Sequence, residues 1–181
     1  DPTNPVAVAS VSEAGDVRSV VAEGSRVFLG SERGLHGFDL SDPAHPVLIG
    51  HRPLSGISWR GLTLEDDRLH VVRDAGGAVF ELLAVDVASP AEPQFMDRVD
   101  LPVLPGHVLV SRGKAFVVGD PYESNTLWTR DLTQASDPGA WQAQPVPWQT
   151  FALAASPELL VTGSFDQGLE LFSILPPPRP N

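Results

Sequence analysis

Asp42-Pro43-Ala44-His45-Pro46-Val47 is the stretch on which the reading of the chain turns, because versions of it recur along the sequence. Asp1-Pro2-Thr3-Asn4-Pro5-Val6 opens the chain, Ser89-Pro90-Ala91-Glu92-Pro93 follows later, and Asp137-Pro138-Gly139 comes last. Their first residues are 42 − 1 = 41, 89 − 42 = 47 and 137 − 89 = 48 residues apart, with 181 − 137 = 44 residues after Asp137. A period between about 20 and 50 residues marks solenoids, propellers or arrays. Two prolines three residues apart fix φ twice and remove two amide donors, which excludes helix interior and central strand. An Asp or Ser ahead of the first proline closes a turn with its side chain. The motif is therefore a connector, and it divides the chain into similar quarters.

Each quarter holds the same order of short runs rich in Val and Leu. After a connector comes a run such as Val6 to Val11 or Val47-Leu48-Ile49-Gly50. A second run and a third follow, joined by a polar turn: Glu23-Gly24-Ser25, Glu65-Asp66-Asp67, Arg112-Gly113 and Ser156-Pro157. These turns carry hairpin chemistry. A fourth run closes the quarter: Leu35 to Phe38, Ala78 to Val87, Thr126 to Leu132 and Leu169 to Ile174. Runs of this length bounded by Gly, Pro, Asp and Ser are strands, and no segment sustains a helical period. Sixteen strands in four groups predict an all-β fold of four four-stranded antiparallel blades, a β-propeller. The frame is offset, so the first strand is left over and the last blade lacks its outermost strand. Pairing Val6–Val11 with Leu169–Ile174 would close the ring and remove exposed edges. The alternatives are part of a larger seven- or eight-bladed propeller, or an open arc completed by a second chain. The propeller is expected over residues 1–175. Pro176-Pro177-Pro178-Arg179-Pro180-Asn181 reads as an extended tail.

Gly34-Leu35-His36-Gly37-Phe38-Asp39-Leu40-Ser41-Asp42-Pro43-Ala44-His45-Pro46-Val47-Leu48-Ile49-Gly50 resembles an LVIVD repeat, named for an apolar strand ending in Asp before a Ser-Asp-Pro connector. Leu83-Ala84-Val85-Asp86-Val87-Ala88-Ser89-Pro90 repeats the pattern. Leu127-Trp128-Thr129-Arg130-Asp131-Leu132-Thr133 keeps the Asp with three extra residues before Asp137-Pro138, and Gly168 to Ile174 puts Ser173 in its place. The resemblance covers nearly the whole chain and implies a bacterial or archaeal β-propeller, secreted or surface-attached. It speaks for fold and not for activity. Members are usually longer, with more blades.

Composition narrows the partners. The net charge is −11, with 23 acids against 12 Lys plus Arg and no basic run, which argues against nucleic acid and against anionic lipid. There is no cysteine, so disulfide and thiolate chemistry are excluded. No apolar run approaches the ~20 residues of a membrane span, so no membrane insertion is expected. The absence of a signal peptide and of an initiating Met suggests a mature form, a fragment or a trimmed chain. The expected place is extracellular or in the cell envelope (periplasm or surface) of a prokaryote.

The candidate chemistry is sparse. Asp39, Asp86 and Asp131 recur once per blade, too far apart for a joint site, and are expected to hold connector turns. His36, His45, His51, His70 and His107 show no paired ligand spacing, and no nucleotide, nucleophile-elbow or calcium motif is present, so neither metal nor cofactor is expected. Glu65-Asp66-Asp67 reads as a solvated turn, and Trp128, Trp141 and Trp148 as packing between blades rather than a sugar platform. Aligning the innermost strands on Arg26, Arg68, Lys114 and Glu158 and counting back eight residues gives Arg18, Arg60, Gly106 and Thr150. With the neighbouring Trp59, His107 and Gln149, this predicts a ligand-binding funnel of Arg18, Trp59, Arg60, His107 and Gln149 around the axis, able to take a small anion. The arginines could equally pair with acids such as Asp16. Two function classes follow: a non-catalytic binding or assembly module whose partner is another protein or further blades, or an enzyme at the axis acting on a small anionic substrate. No group of nucleophile, base and orienter can be named, which favours the first.

Overall fold

The structure, a computed structural model, describes residues 5–133, 141–156, 158–165 and 167–174, the side chain of Trp59 excepted. The described residues form fifteen strands in four sheets. β1 (Val17–Glu23), β2 (Arg26–Ser31), β3 (Gly34–Asp39) and β4 (Val47–Arg52) make the first sheet, in chain order. β5 (Ile57–Glu65), β6 (Arg68–Gly76), β7 (Val79–Asp86) and β8 (Gln94–Asp100) make the second. β9 (Pro105–Ser111), β10 (Lys114–Gly119), β11 (Thr126–Asp131) and β12 (Gln142–Pro145) make the third, and β13 (Thr150–Ala155), β14 (Leu159–Ser164) and β15 (Gly168–Ser173) the fourth. Among these residues no helix is long and apolar enough to cross a membrane.

The inner hairpins turn where the sequence places them. Glu65 pairs with Arg68 across Asp66-Asp67, at φ 48° and 60°, and Ser111 pairs with Lys114 across Arg112-Gly113, at φ 54° and 67°. Positive φ at both central residues is the type I′ geometry whose twist matches the flanking strands. The connectors are turns as well: the amide of His45 donates to the Asp42 carbonyl and that of Glu92 to the Ser89 carbonyl, each at 3.0 Å. Asp137-Pro138-Gly139 and the 176–181 tail lie outside the described residues.

The sequence repeat is also a repeat of backbone hydrogen bonds. At one end of the sheets the residue after each third strand donates to a turn carbonyl: Leu40 to Ser25 (2.7 Å), Val87 to Asp67 (2.8 Å), Leu132 to Gly113 (2.7 Å) and Ile174 to Glu158 (3.0 Å). At the other end Glu32 donates to Asp16 (3.2 Å), Asp74 to Gly56 (2.8 Å), Asp120 to Leu104 (2.9 Å) and Phe165 to Gln149 (3.3 Å). Groups that would otherwise be orphaned at strand ends are thus paired in all four copies.

Two compact units emerge, residues 1–76 with 81–99 and residues 77–80 with 100–181. In the first, β1 and β2 pack on β5 around Phe28, Leu35, Ile57, Leu69, Val71 and Val85. In the second, β13 packs on β9 and β10 around Phe116, Val118, Leu127, Leu153 and Leu160.

One expected strand does not form. Residues 5–12 carry no strand pairing, Val6 and Val8 are 73% and 69% exposed, and the fourth sheet has three strands among the described residues instead of four. The other outer strands follow a connector that tethers them to the strand they pair with, which limits the cost of closing the pair. Val6–Val11 has no such tether, and its alternation of Val with Ala and Ser offers little apolar area in return.

Candidate functional site

Every innermost strand is irregular at the same level, one or a few residues from its start. In β1, Val17 pairs with Ser31 and Ser19 with Gly30, so Arg18 is the extra residue. In β9 it is Gly106, between Pro105 opposite Gly119 and His107 opposite Val118. In β13 it is Phe151, between Thr150 opposite Ser164 and Ala152 opposite Gly163. In β5 the irregular stretch spans residues 58–61, between Ile57 opposite Arg73 and Leu62 opposite Val71. A bulge bends its strand and re-aims a side chain, and bulges gather beside functional sites. At Gly106 a Cβ would run into the Gly119 carbonyl and Pro121, so the third copy aims backbone there.

The five funnel residues fall in the two units: Arg18, Trp59 and Arg60 in the first, His107 and Gln149 in the second. Arg18 is exposed, and its guanidinium donates to the Ile57 carbonyl at 2.9 Å, beside the bulge of β5. Asp16, the acid expected beside it, accepts the Glu32 amide through its own carbonyl. The Arg60 amide donates to Ser58 Oγ at 3.2 Å, which steadies the irregular stretch. In the second unit, the ring of His107 donates to the Phe151 carbonyl, while burial pushes its imidazole below the ordinary histidine range. Protonation near pH 6.5, expected for an unperturbed ring, is therefore displaced to more acid solution. Gln149 occupies a left-handed turn at φ 58°, with its carbonyl accepting the Phe165 amide.

The fourth position of the alignment also moves. Arg26 pairs with Asp39, Lys114 with Asp131, and Leu159 with Ser173, so the equivalent of Arg26 is Leu159 and not Glu158. The β13–β14 loop is longer than the two-residue turns, since Ala155 pairs with Leu160, and counting from Glu158 slips by one. Counting from Leu159 lands on Phe151.

Phe151 is the residue sequence reasoning missed, and it stands in a row of rings. The Tyr122 and Phe151 centroids lie 6.2 Å apart at 79°, and those of Phe151 and Phe165 lie 5.0 Å apart at 69°. These are edge-to-face contacts, favoured by the ring quadrupole. Yet Tyr122 is 71% and Phe165 77% exposed, so the row packs on itself at the surface. The signal was available: Tyr122 follows the second strand of its sheet and Phe165 follows the second strand of the next, at the end where both bulges sit.

The strand-end aspartates hold connectors, as expected, but in solvent. Asp39 Oδ1 accepts the Ser41 amide at 2.8 Å and its hydroxyl at 2.6 Å, and Asp131 Oδ1 accepts those of Thr133 at 2.8 and 2.6 Å. Asp86 accepts the Ala88 amide at 2.9 Å. The hydroxyl and amide bonds hold the Asp39 and Asp131 carboxyls below the usual carboxylate range. The donors are exposed, so the loss expected for buried donors does not apply. Trp141 is anchored by its Nε1, which donates to the Asp100 carbonyl at 3.1 Å, and Trp148 is half exposed. In the first unit Glu81 is buried between Arg73 and Arg98, and His36 stacks on His51 at 4.4 Å. Among the described residues, no group of three or more His, Asp or Glu is placed to hold a metal ion.

No family model matches the chain, and no curated protein matches it. Solved structures do. The chain is similar to Hsv2 of Kluyveromyces lactis, with a TM-score of 0.63 and 10% identity over 91% of this chain and 47% of that one. It is similar to the computationally designed Ika4 protein, at 0.56 and 13% over 91% of this chain and 96% of the design. Apo AztD from Citrobacter koseri is matched at 0.59 and 17% over 87% of this chain and 43% of that one. The chain thus spans about half the length of the natural proteins named here. At such identities the likeness is one of fold. Together with the repeated antiparallel meanders it defines the class: an all-β, four-bladed, β-propeller-like protein.

Proposed function

We propose that the chain is a non-catalytic propeller of the LVIVD-repeat kind, a binding or assembly module of a secreted or envelope-associated prokaryotic protein. The observation that carries the reading is the exposed row Tyr122–Phe151–Phe165 at the bulged start of β13. Surface rings that contact one another offer a rigid apolar face at low entropic cost, the kind of face that protein partners bury. The carboxylate–hydroxyl clasps at Asp39 and Asp131 support the LVIVD resemblance, because they give the strand-end Asp the role its position implies. An enzyme acting on a small anion has less support, since Arg18 is bonded to a backbone carbonyl and burial favours neutral His107. The test is a peptide library panned on the wild type and counter-panned on a Tyr122→Ser/Phe151→Ser/Phe165→Ser variant. The reading expects a peptide family that needs the rings. Only ring-independent binders, or turnover of small di-acids or phosphates that is lost with Arg60→Ala, would contradict it.

A further inference from the structure

The chain holds four Asp-Pro bonds, and two of them, Asp42-Pro43 and Asp120-Pro121, fall within the described residues. Both sit in the same kind of turn. The Asp42 carbonyl accepts the His45 amide at 3.0 Å, and Asp42 Oδ1 accepts the Ala44 amide at 3.0 Å. The Asp120 carbonyl accepts the Glu123 and Ser124 amides at 2.9 and 2.8 Å, and Asp120 Oδ1 accepts the Tyr122 amide at 3.0 Å. They differ three residues on, where one has His45 and the other Glu123. His45 Nδ1 stands 2.7 Å from Asp42 Oδ2, and both side chains are exposed. A pair so open to water adds little to stability. It does gather a carboxylate, an imidazole and a polarised carbonyl around one peptide bond. We propose that Asp42-Pro43 is a self-cleaving bond, with the Asp42 carboxylate as nucleophile and His45 as general acid.

Proline has no amide hydrogen, so attack on the aspartate side chain by the following amide nitrogen is closed. The nucleophile left is the carboxylate, which reaches its own carbonyl carbon through a five-membered ring and needs no encounter with a second reactant. A carboxylate oxygen bonds to that carbon, and the carbonyl oxygen takes the negative charge while the His45 amide donates to it, as in an oxyanion hole. The intermediate collapses by breaking the bond from carbon to nitrogen. The electron pair leaves on the Pro43 nitrogen, which takes the proton of the His45 imidazolium. Residue 42 is then a cyclic anhydride. One water opens it to two carboxyl groups, and a proton released from them restores His45. The sum is hydrolysis of one peptide bond by one water. Across the break Asp39 stays paired with Val47 and Leu35 with Arg52, so both pieces remain in one sheet and Pro43 becomes a new N-terminus.

The test incubates the full chain in mildly acid solution, at about pH 5, and reads cleavage by mass spectrometry after denaturation. Fragments 1–42 and 43–181 are expected to appear at least about tenfold faster than 1–120 and 121–181. In urea, which removes both turns, the two bonds should break at similar rates. His45→Ala keeps the backbone bonds of the turn and should slow the first cleavage at least about tenfold, and added imidazole should restore part of the loss. Asp42→Asn keeps an acceptor for the Ala44 amide and should stop it. Equal rates at the two bonds of the folded chain, an undiminished rate in His45→Ala, or cleavage that persists in Asp42→Asn overturns the proposal. An advantage of the first bond that survives unfolding overturns the part given to the turn. Both substituted side chains are exposed, so folding is not at stake. Every one of these outcomes leaves the aromatic row, and the function resting on it, untouched.

Discussion

The first and fourth sheets share three strands, the same end-to-end backbone bonds and a bulge at the same level, and they part at the outer edge. In the first sheet β4 is clamped. A Cβ on Gly50 would run into the Pro90 carbonyl, Arg52 donates to the Pro93 carbonyl at 2.8 Å, and its guanidinium lies 4.3 Å from the centre of the Phe95 ring. The next connector thus folds back over the outer strand that precedes it. In the fourth sheet β15 meets none of these contacts among the described residues, and Leu169 and Leu171 face solvent. Hairpin turns and strand-end bonds suffice for a three-strand meander. The outer strand is a separate matter, settled by what packs against it.

The largest effect should come from breaking the clamp. Gly50→Val forces a branched side chain into the backbone of the 90–91 turn and should cost about 3 kcal/mol or more. Leu171→Ser, on the open edge, should change the stability of the dilute protein by less than about 0.5 kcal/mol. Urea unfolding of the two variants side by side measures the contrast, and equal losses would erase it.

Acid should sharpen the same comparison, since the first two sheets bury histidines and the fourth has none. Burial lowers His70 to about 4, and Nδ1 has no hydrogen-bond partner among the described residues. A folded pKa below the unfolded one means that the ring must be neutral to be buried. Its full stability is present above the unfolded value of about 6.5 and is lost as pH falls toward 4, by up to about 3 kcal/mol. Burial lowers His36 in the same direction. Unfolding free energies measured from pH 7 to 4 should fall in the wild type and flatten with His70→Leu. An unchanged slope in that variant would assign the acid sensitivity elsewhere.

The smallest effect belongs to the clasps. Asp39→Ala removes an acceptor of two hydrogen bonds, but water replaces it at once. We expect a slight destabilisation above about pH 4 that disappears at lower pH, where the depressed carboxyl protonates in both states. A loss as large as that of Gly50→Val would mean that the connector is buried in solution.

Much of the fold was legible in local chemistry. Asp66-Asp67 and Arg112-Gly113 announce two-residue turns, and Asp42-Pro43 and Ser89-Pro90 announce connectors, because each acts within a few residues of itself. The strand-end aspartates could be assigned for the same reason, although their exposure could not. What failed was non-local. The outer strand at Val6–Val11 depends on a partner far along the chain, and nothing in its own residues fixes whether that partner is available. The fourth position of the innermost-strand alignment slipped for a related cause. A longer β13–β14 loop shifts the count by one residue, which exchanges Thr150 for Phe151 and hides the aromatic row. Arg18 was placed correctly on the first strand, but its use on the Ile57 carbonyl depends on a bulge in another strand that periodicity does not report.

The edge of β15, open among the described residues, is the central claim, and amide hydrogen exchange in dilute solution tests it most directly. In dilute solution the amides of residues 5–12 and the outward half of those in β15 should exchange fast, while β14 is protected. Protection of both that is already complete in the most dilute sample would place the outer strand within a single chain and contradict the account.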